Sequence, residues 1–234
     1  MNLNDLYYPA LKMGGSERKN YIDRIQAKFY SNNRIFGEDN MPFHNELFYI
    51  THIENIPSIM KNGIMCYERA KKLKHKSIAL EEVQERRDRK KIPNGRMLHE
   101  YVNLYFNPRN PMMYKRKAYY KEICVLSVNP IILECEGVVI SDMNAARNIC
   151  RFMEPKTALL TLDFNEIYIE NWNSAEDEEK YRLKGSVCAE ALIPDRVSYE
   201  YIQCSYIADS ELINIFIEYG FDKPVLLKPN MFFR

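Results

Sequence analysis

Short runs of apolar, strand-type residues limit most strongly what this chain can fold into. Most of them lie in the second half of the chain, and they are not separated by the evenly spaced helices that parallel βαβ units require. We therefore predict an α+β fold rather than a doubly wound parallel sheet. The predicted strands are LFYIT (47–51), YVNLYF (101–106), EICVLSVN (122–129), GVVIS (137–141), SVCAEALIP (186–194), VSYEYIQC (197–204) and PVLLKP (224–229).

Helix signals lie between these strands. Asn55 and Pro57 stand where an N-cap and a first-turn proline are favoured, and Gly63 stands where a helix ends, so a helix is predicted between them. Residues 1–44 read as an extension with one amphipathic helix, and residues 45–234 as the main domain. The remaining predicted helices cover 16–30, 77–91, part of 107–117, 142–153 with Asp142 as its cap, and 210–220.

Charge is distributed unevenly along the chain, although its total is close to zero. The 234 residues include 33 Lys or Arg and 32 Asp or Glu, a net charge of +1. Residues 69–121 hold 16 of the basic and 5 of the acidic residues, a net of +11, so the remainder sums to −10. Residues 163–179 hold seven acids and no base. Such segregation indicates a polyanionic partner.

Several functional classes lack their usual sequence support. The chain has eight glycines and no GxGxxG or GxxxxGK[ST] motif, which argues against a Rossmann site or a P-loop. The six cysteines form no CxxC pair and the histidines match no ligand spacing, so we expect free thiols and no metal. No apolar run approaches about 18 residues and the N-terminus lacks a signal-peptide pattern, so we expect a cytoplasmic protein.

Individual charged and ionisable residues stand out for their context. Glu190 lies in the apolar run SVCAEALIP, where a carboxylate is costly unless it is paired, faces solvent or serves a function. Arg87 lies in QERRDRKK, where it is either part of a solvated helix face or a contact to a phosphate. His52 and His99 are open to the same choice between a structural and a functional role.

The segment 101–121 interleaves aromatic and basic side chains. Base stacking combined with phosphate contacts is what binding of single-stranded nucleic acid requires. The alternative is that Tyr101, Leu104 and Phe106 are core residues and that the basic residues 115–117 form a solvated turn. The pattern does not decide between these two interpretations.

Four segments follow one another in an informative order along the chain. They are YITHIENIPSIMKNGI (49–64), EVQERRDRKKIP (82–93), LHEYVNLYFNPRNPMMY (98–114) and CAEALIP (188–194). In that order they resemble the DarT family of bacterial DNA ADP-ribosyltransferases, which are toxins of toxin–antitoxin pairs. The third segment is the most specific, and the resemblance leaves residues 1–44 unexplained. It implies an ADP-ribosyltransferase fold with split antiparallel β-sheets, peripheral helices, and NAD bound as co-substrate in the cleft without a Gly-rich loop or a metal.

The resemblance also implies roles for individual residues. Glu190 matches the catalytic glutamate, and Arg87 matches the catalytic arginine, because its spacing to Pro93 selects it over Arg86. The acidic segment 163–185 lies in the stretch that the family uses to present its substrate. NAD contacts are implied for Ile50, Thr51, His52, Asn55, Ile59, Gly63 and Arg87.

The acceptor implied by the resemblance is a base in single-stranded DNA. The segment ISDMNAARN (140–148) lacks the histidine that thymine-modifying members carry near Asn144, which favours guanine slightly over thymine. A cognate antitoxin that removes ADP-ribose is also implied, and we expect a monomer. An RNA or protein acceptor, or a non-catalytic module that binds single-stranded nucleic acid, are the alternatives. The expected DNA contacts are Lys90, Lys91, Arg109, Lys115, Arg116 and Asn144.

Overall fold

The structure, a computed structural model, describes residues 46–93, 95–173 and 176–234. The expected extension (1–44), with its helix over 16–30, lies outside the described residues. The strands are β1 (Leu47–His52), β2 (Ile64–Met65), β3 (Tyr101–Tyr105), β4 (Ile123–Val128), β5 (Val139–Ser141), β6 (Phe152–Met153), β7 (Glu190–Pro194), β8 (Arg196–Val197), β9 (Ile202–Ile207) and β10 (Val225–Leu227). The helices are α1 (Ile56–Asn62), α2 (Tyr67–Ala70), α3 (Glu81–Asp88), α4 (Pro111–Lys115), α5 (Pro155–Thr161), α6 (Phe164–Ile167), α7 (Asp177–Ser186) and α8 (Leu212–Glu218).

Eight of these strands form one sheet, in the order β10-β9-β4-β1-β3-β7-β5-β6. Its neighbours are antiparallel except for β9 and β10. In the middle of the sheet, the described strands β1 and β3 share a single pair of partner residues, Phe48 and Tyr105. By contrast, β1 pairs along its whole length with β4, and β3 along its whole length with β7. The α+β prediction is confirmed, and the sheet consists of two four-stranded halves that meet at one point.

Apolar side chains cover both faces of this sheet. In β4, Cys124, Leu126 and Val128 pack into the larger core cluster, whereas Ile123 and Val125 pack into a second cluster on the other face. All six residues of β4 are buried, which explains why its sequence reads as a continuous apolar run. Helices α1 and α8 add their buried residues to the larger cluster.

The unit formed by β1 and α1 agrees with its sequence signals. Pro57 lies in the first turn of α1, and the helix ends at Gly63, whose φ of 78° is left-handed. A Cβ at position 63 would lie 2.3 Å from the backbone oxygen of Val197, so glycine is required there. Asn55 occupies the N-cap position but makes no capping hydrogen bond, because its side chain bonds elsewhere.

Two predicted elements beside Glu190 differ from the structure. The helix expected over 142–153 is not formed, because the Asp142 carboxylate accepts hydrogen bonds from the backbone N–H (2.9 Å) and Nε (2.7 Å) of Arg151 and closes a loop. The strand expected over 186–194 begins only at Glu190, since Ser186 still belongs to α7. None of the described helices is long and apolar enough to cross a lipid bilayer.

Candidate active site

A cavity of about 380 Å³ is lined by both halves of the sheet. β1 contributes Tyr49 and Thr51 to its wall, and β3 contributes Tyr101 and Tyr105. Further parts of the wall come from α3, α4 and α7, from the irregular segment 75–80 and from the loop 144–147. A concave site of this size, with aromatic side chains and a few charged groups, has the character of a ligand site.

Arg87 and Glu190 form a buried ion pair beside this cavity. Nη1 of Arg87 lies 3.0 Å from each carboxylate oxygen of Glu190. Glu190 is fully buried and Arg87 is 5% exposed, so the solvent-facing interpretation is wrong for both residues. Arg87 lines the cavity and Glu190 does not, so the guanidinium covers the carboxylate.

The backbone of three elements holds Glu190 in place. As the first residue of β7, it is paired with Tyr105 of β3 and with Ser141 of β5. Its Oε1 accepts a hydrogen bond of 3.0 Å from the backbone N–H of Ala145, in the loop that Asp142 closes. The loop that stands in place of the expected helix therefore supplies a backbone donor to the carboxylate.

The pKa values of ionisable groups around Glu190 indicate surroundings of low polarity. Burial, followed by repulsion from the Glu190 carboxylate, raises the pKa of the Tyr105 phenol well above its usual value. The same two causes raise the pKa of the Cys188 thiol to about 12. Burial also lowers the pKa of the Lys90 ammonium group. Charges are screened less in such a site than in water, so each charged contact has a larger effect.

The irregular segment 75–80 forms one wall of the cavity and is held at two points. The Asn55 amide donates to the backbone oxygen of Lys76 and accepts from its backbone N–H, both at 2.8 Å. The Arg116 guanidinium donates to the backbone oxygens of Ile78 and Ala79, each at 2.8 Å. These contacts give a segment without regular structure a defined position.

An aromatic and a basic side chain meet at the wall formed by α7 and the loop 144–147. Tyr181 is 58% exposed, and the guanidinium carbon of Arg147 lies 4.0 Å from the centre of its ring. Nη1 of Arg147 also donates to the backbone oxygen of Tyr181 at 2.7 Å. A Cβ at Gly185 would lie 2.4 Å from this nitrogen, so any other residue there would push the guanidinium away.

Only some of the residues expected to contact NAD lie at the cavity. His52 contacts Glu122, with 3.2 Å between Nε2 and the carboxylate, and does not line the cavity. Ile59 lies in the core and Gly63 packs on Val197, so neither lines it. The expected residues that the structure does bring together there are Ile50, Thr51, Asn55 and Arg87.

The residues expected to contact DNA are likewise divided. Lys115 and Asn144 line the cavity. Arg109 donates to two backbone oxygens of the C-terminal segment 230–232 and lies over the ring of Phe233, with 3.9 Å to its centre. Arg116 holds the segment 75–80, and Lys90 donates to the backbone of Arg147. Lys91 is exposed.

Sequence reasoning missed Tyr181, Arg147, Lys184 and Gln84, which all line the cavity. An aromatic residue in the polar run DEEKYRLKG was the available signal for Tyr181. Gln84 stands three positions before Arg87, a spacing that places both on one side of a helix. No local pattern distinguishes Arg147 or Lys184 from other basic residues.

Comparison with known proteins finds a matching family and related sequences. A family model described as "ssDNA thymidine ADP-ribosyltransferase, DarT" matches residues 48–233. A DNA ADP-ribosyl transferase–DNA ADP-ribosyl glycohydrolase fusion protein of Thermosipho africanus is 34% identical over 188 residues, which are 73% of this chain and 44% of the relative. A DNA ADP-ribosyl transferase of Thermus sp. is 30% identical over 142 residues, which are 56% of this chain and 68% of the relative.

Solved structures show the same fold. Thermosipho africanus DarTG in complex with ADP-ribose has a TM-score of 0.70 at 26% identity, covering 80% of this chain and 51% of that one. Thermus sp. 2.9 DarT in complex with ADP-ribosylated ssDNA has a TM-score of 0.70 at 24% identity, covering 81% and 96%. The chain spans less than half the length of the Thermosipho relative. Because the family model covers most of its residues, this chain belongs to the DarT family.

Proposed function

We propose that this chain is a toxin that transfers ADP-ribose from NAD to a nucleobase of single-stranded DNA. The observation that carries the proposal is the buried pair of Arg87 and Glu190 beside a cavity lined by both halves of the sheet. Thermus sp. 2.9 DarT has been solved in complex with NAD+ and with ADP-ribosylated ssDNA, which supports the same substrates here.

The residues of the cavity fit a dinucleotide. NAD carries two phosphates, and the described lining holds six Lys or Arg residues against one acid, Glu82. No Gly-rich loop is needed where guanidinium and ammonium groups supply the donors. We propose that Ile50, Thr51 and Asn55 hold NAD together with Arg87. The basic residues of the lining are Lys76, Arg86, Arg87, Lys115, Arg147 and Lys184.

The proposed reaction uses the ion pair of Arg87 and Glu190. When bound, NAD supplies the ADP-ribose group, with nicotinamide as the leaving group. A shift of the Arg87 guanidinium on NAD binding opens the Glu190 carboxylate to the cavity, where it stabilises the positive charge that develops on the ribose and then accepts the proton of the attacking base nitrogen. A guanidinium has five N–H donors, and only Nη1 of Arg87 contacts Glu190 in the free protein, so the other donors are available to a phosphate of NAD.

The DNA strand is proposed to enter past α7 and α4. Tyr181 offers an exposed ring for base stacking, and Lys115 and Lys184 offer ammonium groups to phosphates. On the side of Lys115, the surface continues through Tyr114 and Tyr119, which are 45% and 48% exposed. We propose Asn144 and Lys91 as further DNA contacts, whereas Lys90, Arg109 and Arg116 act on the protein's own backbone.

Guanine is the base that we propose, with thymine as its competitor. The Arg147 guanidinium at the cavity presents N–H donors, and paired donors of this kind match the O6 and N7 acceptors of guanine. Thymine offers a single acceptor, O4, on the corresponding edge. The family description names thymidine, so the two bases have to be compared directly.

The proposed partner is an antitoxin that removes ADP-ribose from DNA. The Thermosipho relative joins a DNA ADP-ribosyl transferase to a DNA ADP-ribosyl glycohydrolase in one chain, which supports a functional link between the two activities. We further propose that residues 45–234 form the transferase domain, and that it acts as a monomer in the cytoplasm.

The experiment is incubation of the protein with labelled NAD and four single-stranded oligonucleotides, each lacking one base, followed by mass spectrometry. We expect transfer to every oligonucleotide except the one without guanine, and failure only without thymine would reassign the base. Parallel RNA and protein acceptors test the alternative substrates. Absence of nicotinamide release with every acceptor would instead favour a non-catalytic module.

A matched pair of variants tests the role of Glu190. Glu190→Gln keeps the size of the side chain and removes its charge, so transfer should fall by about 10²–10³-fold. Glu85→Gln makes the same change at an exposed position of α3 and should leave transfer unchanged. Wild-type transfer by Glu190→Gln, with an unchanged melting temperature, would refute the assignment.

A further inference from the structure

We propose that His99 is a positioning residue, which fixes the rotation of α3 so that Arg87 stays paired with Glu190. The catalytic consequences rest on the proposed function. The placement of Arg87 in the free protein does not, and it is measured separately below.

Helix α3 has no apolar face that would anchor it. Its sequence is EEVQERRD, and among these residues, all of which are described, Arg87 alone is buried. A surface helix is normally oriented by an apolar stripe that packs on the core. Polar contacts must therefore set the rotation of α3, on which the direction of the Arg87 side chain depends.

His99 supplies such contacts from outside the helix. It lies in the 3-10 turn Leu98–Glu100, directly before β3, and is 4% exposed. Its Nε2 is hydrogen-bonded to Oε1 of Gln84 at 3.1 Å, and its Nδ1 lies 3.4 Å from Oδ1 of Asp88 in a contact that is not a hydrogen bond. Gln84 and Asp88 are four positions apart and share one face of the helix. One rigid ring thus spans the helical turn that contains Arg87.

The imidazole is itself held in a defined orientation and charge state. The ring of Tyr67 packs against it, with 4.2 Å between the ring centres. Burial, followed by the positive charge of Arg87, lowers the pKa of His99, which favours the neutral ring. The neutral ring fits its surroundings when Nε2–H donates to Oε1 of Gln84, while Nδ1 faces the Asp88 carboxylate without a hydrogen bond.

Backbone contacts secure the fold around this turn independently of His99. The backbone N–H of Leu98 donates to the backbone oxygen of Lys90 at 2.9 Å, which ties the 3-10 turn to the chain after α3. Loss of the imidazole therefore leaves the chain path intact and releases the turn that carries Arg87. This separates positioning of Arg87 from stability of the whole domain.

The first test needs no substrate. A ¹H–¹⁵N spectrum of the arginine side chains, assigned with Arg87→Lys, reports whether the Arg87 guanidinium is immobilised on Glu190. We expect its signal to broaden or move towards that of free arginine in His99→Ala, and to stay unchanged in Glu85→Ala. In His99→Gln, the side-chain amide nitrogen takes the place of Nε2 and can donate to Gln84, so the signal should be partly restored. An unchanged signal in a folded His99→Ala protein would overturn the proposal.

The second test is kinetic. His99→Ala should lower kcat by about 10–100-fold, as expected for a small misplacement of a catalytic group, with a smaller effect on KM for NAD. In a Gln84→Ala/Asp88→Ala background, the same change should add less than about twofold, because the contacts through which His99 acts are gone. A full additional loss in that background would show that His99 acts on the substrate directly, which overturns a positioning role.

Two controls distinguish a positioning role of His99 from a bound ion and from failure of the proposed function. The ligand atoms of Glu68, Asp88 and His99 all lie within 4.8 Å of one another, so a bound ion would give similar mutational effects. Loss of wild-type activity in EDTA, restored by Zn²⁺ or Mn²⁺, would overturn the proposal in favour of that ion. If wild-type protein modifies no DNA while its Arg87 signal is immobilised, the proposed function fails, and the spectra of the variants still decide on His99.

Discussion

Replacing Arg87 by methionine isolates the energy of the buried pair. Methionine keeps an unbranched stem and removes the guanidinium, which leaves the fully buried Glu190 carboxylate with the N–H of Ala145. Removal of one partner of a buried pair costs about 3–5 kcal/mol, because the remaining charge keeps its desolvation penalty. In a chain of this size, 1 kcal/mol corresponds to about 2–4 °C, so the melting temperature should fall by about 6–20 °C.

Urea unfolding at pH 7 without NAD measures this free energy. Arg87→Met/Glu190→Leu removes both charges and should recover most of the loss. The matched control is Asp195, whose ion pairs with Arg69 and Arg96 join side chains that are 36–51% exposed. Asp195→Asn should cost about 1 kcal/mol or less, since asparagine tolerates the φ of 62° at this position.

Two results would refute the expected energy of the pair. A loss below about 1 kcal/mol for Arg87→Met would mean that Glu190 reaches water once the guanidinium is gone. A double variant as unstable as Arg87→Met would mean that packing of the arginine stem, rather than the unpaired charge, carries the effect.

Asn55→Ala removes two hydrogen bonds to the backbone of Lys76, each of about 1 kcal/mol. Calorimetry should therefore show NAD binding weakened by about 10–30-fold, and a change below about threefold would contradict this. Tyr181→Ala should weaken binding of a single-stranded oligonucleotide by about 1–3 kcal/mol and leave nicotinamide release without DNA unchanged, whereas Tyr181→Phe should retain both. Iodoacetamide at pH 8 should modify the exposed Cys135 first. Burial raises the pKa of the Cys188 thiol to about 12, so early labelling of Cys188 would show that its burial is wrongly assigned.

The ion pair of Arg87 and Glu190 is where sequence reasoning reached furthest. The contexts of Glu190 and Arg87 each allowed a solvent-facing interpretation, and the four ordered motifs selected the functional one. The structure adds that the two side chains, 103 positions apart, meet in a buried ion pair. The β1–α1 unit was also predictable, because its proline and glycine act locally on the backbone.

The loop after β5 shows why other features could not be predicted. Asp142 has the local character of a helix cap, yet its carboxylate bonds Arg151 instead, and nothing in the intervening residues announces that choice. The contact between Arg147 and Tyr181 likewise depends on how α7 packs against this loop. The resemblance assigns NAD contacts to Ile59 and Gly63 from their positions in a motif. Their actual places, in the core for Ile59 and against Val197 for Gly63, depend on the tertiary arrangement, which a motif does not show.

The hydrogen bond from Ala145 to Glu190 bears on how base preference changes in evolution. A backbone donor is retained with any residue except proline at position 145. The side chains of Asn144 and Arg147, in the same loop, line the cavity. On the proposed function, the loop thus supports the carboxylate with its main chain and faces the acceptor with its side chains. If these side chains read the base as proposed, substitutions that alter the reading leave that support in place, so specificity can diverge without loss of the reaction.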